Sequence, residues 1–260
     1  MRSLRALARL VWAVLHTLHG LAIVLLQFDR LDAAARHARI RWWSGRMLRV
    51  LGVGLRVDGV GFHPGGVLLA ANHVSWLDIL AIHAVCPQAR FVAKADVKHW
   101  PLVGRLVGAG GTLFIERERK RDAVRVVHQM AEALKAGETV AVFPEGTTSD
   151  GQSLLPFHAN LLQAAIATAV PVQAVALRFS DDQSEVSAAA PYVGETTLVQ
   201  SLWWIACAQG LCAHVGVLPP RGTRHAERRA VAALIRAEIM TSLTTSSQLP
   251  AELLEQPAQQ

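Results

Sequence analysis

The sequence predicts an α/β protein with a mixed, largely parallel sheet flanked by helices and an N-terminal membrane-docking helical segment. Short apolar runs alternate with helical patterns from residue 55 onwards, which is typical of α/β domains. The first fifty residues differ, because they combine a long uncharged apolar run with clustered arginines. We therefore expect a membrane anchor and amphipathic helix at 1–54, an α/β domain at 55–245 and a disordered tail at 246–260.

The apolar run at residues 10–28 carries no formal charge. As a helix it would be ~28 Å long, close to the thickness of the hydrocarbon core of a bilayer. A spanning anchor fits, and a helix dipping into one leaflet fits equally well, since His16, His19 and Gly20 interrupt the apolar face. A signal peptide cleaved near residues 33–35 is the third alternative, against which the length of the run argues.

A second helix is predicted at residues 36–51, where apolar residues recur at helical spacing. The stripe contains Ile40, Trp43, Met47, Val50 and Leu51, and four arginines lie outside it. A basic amphipathic helix with tryptophans suits the bilayer interface. The alternative is an ordinary surface helix docked on the domain.

Positive charge is concentrated at the N-terminus. The net charge of the chain is +6, while nine arginines and two aspartates give the first fifty residues +7, which leaves −1 for the rest. Binding of nucleic acid would need a basic face on the body of the protein, so we expect an anionic membrane surface as the partner instead. An odd number of cysteines, three, indicates reduced thiols, and we expect the site on the cytoplasmic side of the membrane.

The elements of the α/β domain follow from apolar runs bounded by glycine or proline. The predicted strands are Leu55–Val60, Val67–Ala71, Arg90–Ala93, Thr112–Ile115, Thr139–Phe143, Val172–Leu177 and His214–Leu218. Helices are predicted at 119–136, 157–168 and 224–243. The uncharged stretch 198–219 is predicted as a helix, a turn at Gly210 and a strand closed by Pro219-Pro220, and 180–190 as a solvated loop.

The first candidate motif, Asn72-His73-Val74-Ser75-Trp76-Leu77-Asp78, directly follows a predicted strand. His73 and Asp78 can meet if the histidine lies in a strand-to-helix turn and the aspartate in the first turns of the helix, with Ser75 as the N-cap. A carboxylate that is hydrogen-bonded to one imidazole nitrogen leaves the other nitrogen as a base. Histidine, with an unperturbed pKa of ~6.5, is suited to deprotonating a hydroxyl group near neutral pH. The alternative is a structural turn.

Two further polar turns follow predicted strands. In the segment from Gly111 to Arg117, a strand would place Arg117 at its carboxyl end, where the guanidinium could bind a phosphate. The alternative is a solvated run of charged residues at the start of a helix. The segment Phe143-Pro144-Glu145-Gly146-Thr147-Thr148-Ser149 offers polar contacts through Glu145 and Thr147 and a glycine that allows close backbone approach, unless it is a plain turn. Ligands bind at the carboxyl ends of strands in open α/β sheets, so the three turns together predict one site.

These motifs resemble those of the 1-acyl-glycerol-3-phosphate acyltransferase family of lysophospholipid acyltransferases. Residues 72–78 match its His-x4-Asp motif, 111–117 look like its second motif and 143–147 like its third. Val170-Pro171-Val172 is similar to the fourth, and the order and spacing agree over residues 72–177. The basic two-helix segment at the N-terminus also looks like the membrane-docking motif of the family.

The resemblance implies an O-acyltransferase that requires no metal or cofactor. His73 would be the general base on the hydroxyl of a lysolipid, Asp78 would orient it, and acyl-coenzyme A or acyl carrier protein would be the donor. The residues implied for the polar head of the acceptor are Arg117, Glu145, Gly146, Thr147 and, less directly, Lys94. Asn72 and Ser75 would support the catalytic pair.

One departure from the family bears on the acceptor. Many members with a glycerol-phosphate acceptor have arginine two residues after the glycine of the third motif, where this chain has Thr148. Loss of a fixed cation weakens the case for a phosphomonoester. We keep 1-acyl-glycerol-3-phosphate, giving phosphatidate, as the leading acceptor. Lyso-ornithine lipid, the acceptor of a related branch with threonine-rich third motifs, is the first alternative.

Two function classes outside acyl transfer compete with this interpretation. A metal-dependent hydrolase would need clustered ligands, and His63, His73 and Asp78 are the best trio that the sequence offers. An inactive membrane scaffold would show no turnover. Sensitivity to chelators would identify the first, and absence of activity the second.

Overall fold

The computed structural model describes residues 2–100, 103–115 and 120–246, apart from the side chains of Lys94, Ile115, residues 120–123 and Ser246. Arg117 and the predicted tail from residue 247 onwards lie outside the described residues.

Seven strands form one sheet, in the order β1-β7-β6-β2-β5-β3-β4. The strands are Gly54–Gly59 (β1), Val67–Ala71 (β2), Arg90–Lys94 (β3), Leu113–Ile115 (β4), Thr139–Val142 (β5), Val172–Ser180 (β6) and Cys212–Arg221 (β7). Neighbouring strands in this order are parallel except for β6 and β7, which are antiparallel. The predicted fold class, a mixed and largely parallel sheet flanked by helices, is confirmed.

Eight α-helices accompany the sheet in the described part of the chain. They are Arg2–Leu26 (α1), Ala33–Leu51 (α2), Leu77–Val85 (α3), Val103–Ala109 (α4), Lys120–Lys135 (α5), Gln163–Thr168 (α6), Leu198–Cys207 (α7) and Arg228–Ser246 (α8). The sequence did not predict α4, and the predicted helix at 157–168 is a 3-10 turn at Ala159–Leu162 followed by α6. The predicted solvated loop at 180–190 is partly wrong, because Ser187 and Ala190 are buried.

The central strand β2 contributes to two helical layers. All five of its residues are buried, as expected for a continuous apolar run in a parallel sheet. Leu69 and Ala71 pack in the layer that contains α2, α3 and α7. Leu68 and Ala70 pack on the opposite side with α5, α6 and α8. Covering both faces leaves the end of the strand as the place where polar side chains can meet a ligand.

The last strand, β7, is longer than predicted because it pairs along most of its length with β6. It continues through Pro219 and Pro220, which we expected to close it. Proline has no N–H to donate and is tolerated in strands at bulges and edges. The register between β6 and β7 shifts between Gln173 and Val175, and the Gln173 amide donates to the carbonyl oxygen of Leu218 over 2.9 Å.

Helix α1 packs on the protein through the residues that interrupt its apolar run. By length and composition, this 25-residue helix is apolar enough to cross a membrane. The His16 Nε2 donates to the carbonyl oxygen of Trp43 over 3.0 Å, and the Trp43 indole donates to the carbonyl oxygen of His16 over 3.1 Å. A Cβ at Gly20 would lie 2.3 Å from the Trp43 indole nitrogen. Glycine is therefore what allows α1 to approach α2 so closely.

The apolar stripe of α2 is used inside the protein. Met47 and Leu51 are buried in the core, and Trp43 and Val50 pack against it. Of the two interpretations of the stripe, the structure shows a helix docked on the domain. The preference for placing this stripe at the bilayer was wrong, because helical periodicity identifies an apolar face but not the surface that covers it.

Buried His83 makes the stability of the fold sensitive to acid. Its imidazole packs edge-on against Phe91 and donates through Nε2 to the carbonyl oxygen of Ala89 over 3.0 Å. Burial lowers the pKa of His83 to about 4. In the unfolded chain the histidine has a pKa of ~6.5, so below that pH the unfolded chain binds a proton that the folded protein does not bind. The free energy of unfolding therefore falls as the pH is lowered from about 6.5 to about 4.

We expect His83→Gln to remove about 3 kcal/mol of this decrease, since glutamine keeps a donor for Ala89 but does not titrate. Urea unfolding at a series of pH values measures the effect. Some pH dependence should remain, because burial and the neighbouring Arg178 lower the pKa of His214 to about 4 as well. A variant with the wild-type pH dependence would rule out His83 as a source of the acid sensitivity.

Candidate active site

The turn between β2 and α3 is organised around one carboxylate oxygen. The Oδ2 atom of Asp78 accepts hydrogen bonds from His73 Nδ1 over 2.7 Å, from the backbone N–H of Val74 over 2.7 Å and from that of Ser75 over 2.9 Å. Asp78 itself lies in the first turn of α3 and is fully buried. Three donors on one oxygen compensate the buried charge and hold the imidazole and the turn together.

His73 presents its other ring nitrogen as a base. A carboxylate can only accept, so Nδ1 carries the hydrogen and Nε2 keeps a lone pair. The ring stacks on Phe143, with centroids 3.9 Å apart and planes 9° apart. The His73 side chain is 20% exposed. It is thus fixed on two sides and still open to a reactant.

Glu145, at the carboxyl end of β5, holds the backbone of His73 in place. Its Oε1 accepts from the His73 N–H over 2.6 Å and its Oε2 from the Leu155 N–H over 2.8 Å. The carboxylate is buried, and burial raises its pKa. This arrangement favours a positioning role for Glu145 over the predicted contact with an acceptor head group.

Asn72 locks the end of β2 to β6. Its side-chain amide donates to the carbonyl oxygen of Leu177 over 2.8 Å, and its oxygen accepts from the Leu177 N–H over 2.7 Å. Ser75 does not cap α3 as expected. Trp76 precedes the helix without a capping side chain, and the buried Ser75 hydroxyl has no hydrogen-bond partner among the described residues. The Asp78 carboxylate accepts from the N–H groups of Val74 and Ser75, which precede the helix, and does not cap it either.

Two residues that the sequence did not single out complete the site. Ser149 donates to the carbonyl oxygen of His73 through its N–H over 2.7 Å and through its hydroxyl over 3.1 Å. Tyr192 donates its N–H to the carbonyl oxygen of Val74 over 2.9 Å, and its own carbonyl oxygen accepts from the Thr148 hydroxyl. Ser149 is the last residue of the third motif. No local pattern indicated Tyr192, which lies in a loop that is distant in the sequence.

The residues predicted to hold the acceptor head are only partly gathered here. Gly146 has a φ of +74°, and a Cβ there would lie 2.9 Å from the His158 ring, so this turn requires glycine. Thr147 is exposed beside it. Lys94 ends β3, but its side chain, like Arg117, lies outside the described residues. The predicted role of these residues in substrate binding stays a prediction.

No metal centre is evident in the described part of the chain, where no group of three or more His, Cys, Asp or Glu side chains could hold an ion. The metal-dependent hydrolase therefore gains no support from the described residues. Metal-free chemistry itself stays a prediction.

Comparison with known proteins assigns this geometry to a family. A family model described as Acyltransferase matches residues 56–178, which contain His73, Asp78 and Glu145. The lyso-ornithine lipid O-acyltransferase of Pseudomonas aeruginosa is 35% identical over 217 residues, which cover 82% of this chain and 83% of that protein. The 1-acyl-sn-glycerol-3-phosphate acyltransferase of Neisseria meningitidis serogroup B is 42% identical over 170 residues, 65% of this chain.

The chain belongs to the 1-acyl-glycerol-3-phosphate acyltransferase family. The family expected from the motifs is thereby confirmed. The chain spans 66% and 62% of the length of the relatives from Neisseria meningitidis and Neisseria gonorrhoeae. The crystal structure of the 1-acyl-sn-glycerophosphate acyltransferase PlsC from Thermotoga maritima has the same fold, with a TM-score of 0.67 over 94% of this chain and 99% of that one, at 20% identity.

In this member of the acyltransferase family, Asp78→Asn should lower kcat by about 10³- to 10⁴-fold, because an amide cannot satisfy the three donors and hold the His73 tautomer. Steady-state kinetics measure both kcat and KM, and the KM for the acceptor should change little. Asp150→Asn, a change of an exposed carboxylate in the neighbouring turn, is the matched control. An active Asp78→Asn variant would contradict the role of this carboxylate.

Glu145→Gln should displace the His73 backbone, because one of two acceptors becomes a donor facing an N–H. We expect a loss of about 1–3 kcal/mol in the free energy of unfolding, together with a lower kcat and an unchanged KM for the acceptor. Urea unfolding and steady-state kinetics measure these quantities, with exposed Glu195→Gln as control. An increase in KM at constant kcat would instead support the predicted contact with the head group.

Proposed function

We propose that the protein is an O-acyltransferase that moves a fatty acyl group from a thioester to the free hydroxyl of a lysolipid. The observation that carries the proposal is the hydrogen bond between His73 Nδ1 and Asp78 Oδ2, which leaves Nε2 as a base at an open strand end. Membership of the acyltransferase family supports the same conclusion.

The reaction needs only these side chains and the two substrates. Nε2 of His73 takes the proton of the acceptor hydroxyl as its oxygen attacks the carbonyl carbon of the thioester. Asp78 stabilises the imidazolium that forms. The tetrahedral intermediate collapses by breaking the C–S bond, and the imidazolium returns its proton to the departing thiolate. The products are an ester and a free thiol of coenzyme A or acyl carrier protein.

The leading acceptor is 1-acyl-glycerol-3-phosphate, which would give phosphatidate. Relatives from two Neisseria species that carry the name 1-acyl-sn-glycerol-3-phosphate acyltransferase, at 42% and 44% identity, support it. Lyso-ornithine lipid is the second candidate, and Thr148 favours it. The Thr148 hydroxyl is bound to the carbonyl oxygen of Tyr192, where many relatives with phosphate acceptors have a cationic side chain.

The lipid substrate requires contact with a membrane, and α1 offers a surface for it. Its outer face exposes large apolar side chains from end to end, and two arginines near its start suit anionic lipids. These apolar residues are Leu4, Leu7, Val11, Trp12, Val14, Leu15, Leu18, Leu25 and Leu26. The protein thus binds the bilayer through α1, with its active site on the cytoplasmic side, where both acyl donors occur.

Acceptor-dependent release of thiol tests the proposal. Purified protein in detergent is given acyl-coenzyme A or acyl carrier protein with lysophosphatidate, lyso-ornithine lipid or no acceptor. We expect thiol release only with an acceptor, and a loss of at least about 10³-fold in His73→Ala, because the general base is removed.

His128→Ala on the exposed face of α5 is the matched control and should be fully active. The preferred acceptor decides between the two lysolipids. Full activity of His73→Ala, or no turnover with any donor and acceptor, would overturn the proposed function and favour the inactive membrane scaffold instead.

A further inference from the structure

The outer face of α7 is apolar and exposed without an evident covering. The helix sequence, LVQSLWWIAC, contains no charged residue. Val199 is 76% exposed, Trp203 40% and Trp204 43%. Scattered apolar residues are normal on protein surfaces, but adjacent exposed tryptophans are typical of segments at the membrane–water interface, where an indole has both apolar and polar surroundings.

The inner face of α7 is attached to the catalytic turn. The Trp76 indole donates to the Ser201 hydroxyl over 3.0 Å, and Ser201 and Ile205 are buried. Trp76 lies two residues before Asp78 and directly precedes α3. The loop that leads into α7 is bound to the same turn through Tyr192, which donates its N–H to the carbonyl oxygen of Val74. A displacement of α7 would thus also displace the turn that carries His73.

Helix α7 is also continuous with the surface of α1. Arg9 of α1 donates through Nη1 to the carbonyl oxygens of Ala206 over 2.9 Å and of Ala208 over 3.1 Å. These carbonyls belong to the C-terminal end of α7, where a cation complements the helix dipole. The arginine therefore holds the first half of α1 beside α7. Arg2 and Arg5 lie on the same half of α1 and add the positive charge that attracts anionic lipid.

We propose that α7 is a second membrane-contact element, in which Trp203, Trp204 and Val199 enter the interface of an anionic bilayer beside α1. The inner face of α7 then holds the catalytic turn at the lipid surface, where the lysolipid acceptor lies. This inference rests on the proposed function for its purpose, but the contact with lipid is independent of turnover. A bilayer is favoured over a protein partner because the surface is uncharged, rich in tryptophan and adjacent to the basic start of α1.

Binding to vesicles tests the proposal. Full-length protein is sedimented with vesicles of phosphatidylethanolamine and phosphatidylglycerol. We expect the double variant Trp203→Ser/Trp204→Ser to bind at least about tenfold more weakly than the wild type. Leu234→Ser/Met240→Ser is the matched control and should bind normally, because these residues are 47% and 40% exposed on α8 in the opposite layer. Val199→Asp is a second test that disturbs no packing.

Kinetics separate membrane contact from damage to the site. In the α7 variants, kcat/KM for a long-chain acceptor in vesicles should fall about tenfold, while turnover of a short-chain soluble acceptor stays unchanged. Wild-type-like vesicle binding by both Val199→Asp and the double variant would overturn the inference, as would failure of the wild type to bind vesicles. Loss of a wild-type dimer in these variants with vesicle binding intact would overturn it too, by identifying an interface between copies.

Failure of the α7 inference can be distinguished from failure of the proposed function. If no donor and acceptor pair is turned over but the α7 variants still lose vesicle binding, the acyl-transfer proposal fails and the membrane-contact role of α7 stands.

Discussion

The site depends on the three hydrogen bonds that converge on Oδ2 of Asp78. A buried carboxylate is costly unless donors compensate it, and here the donors are the His73 imidazole and two backbone N–H groups of the turn. One oxygen therefore sets the tautomer of His73, the conformation of the turn and the start of α3. None of these features can shift alone, which keeps Nε2 at a constant position relative to the end of β2.

The turn is held from outside by segments that lie far away in the sequence. Glu145 binds the N–H of His73 and Ser149 binds its carbonyl oxygen, so both ends of the His73 backbone are satisfied by the turn after β5. Asn72 ties the same strand end to β6. These contacts exist because parallel strands bring their carboxyl ends to one edge of the sheet. A parallel sheet thus supplies rigidity at the position of His73, the proposed general base.

In the proposed membrane contact, α1 and α7 connect this edge of the sheet to lipid. Helix α1 is held against α2 by the reciprocal bonds of His16 and Trp43, and against α7 by Arg9. Its remaining face is apolar and exposed. The proposed acyl transfer to a lipid needs a base that is fixed in the protein and close to the bilayer. Packing of α1 and α7 onto the layer that contains α3 is consistent with both needs.

The sequence by itself determined the local features of this protein. The strand Val67–Ala71, the turn that follows it, the placement of Asp78 in the first turn of a helix and the family all follow from short-range patterns of residues 67–78 and the later motifs. Such features depend on hydrophobic periodicity and on turn chemistry, which neighbouring residues specify.

Only the tertiary structure decided which surfaces meet. It placed the stripe of α2 inside the protein, showed that His16 and Gly20 are packing residues and brought Tyr192 to the turn that carries His73. It also assigned Glu145 to the backbone of His73 and removed the capping role from Ser75. Periodicity shows that a face is apolar but not what covers it, and a hydrogen bond between residues more than a hundred positions apart leaves no local pattern in the sequence.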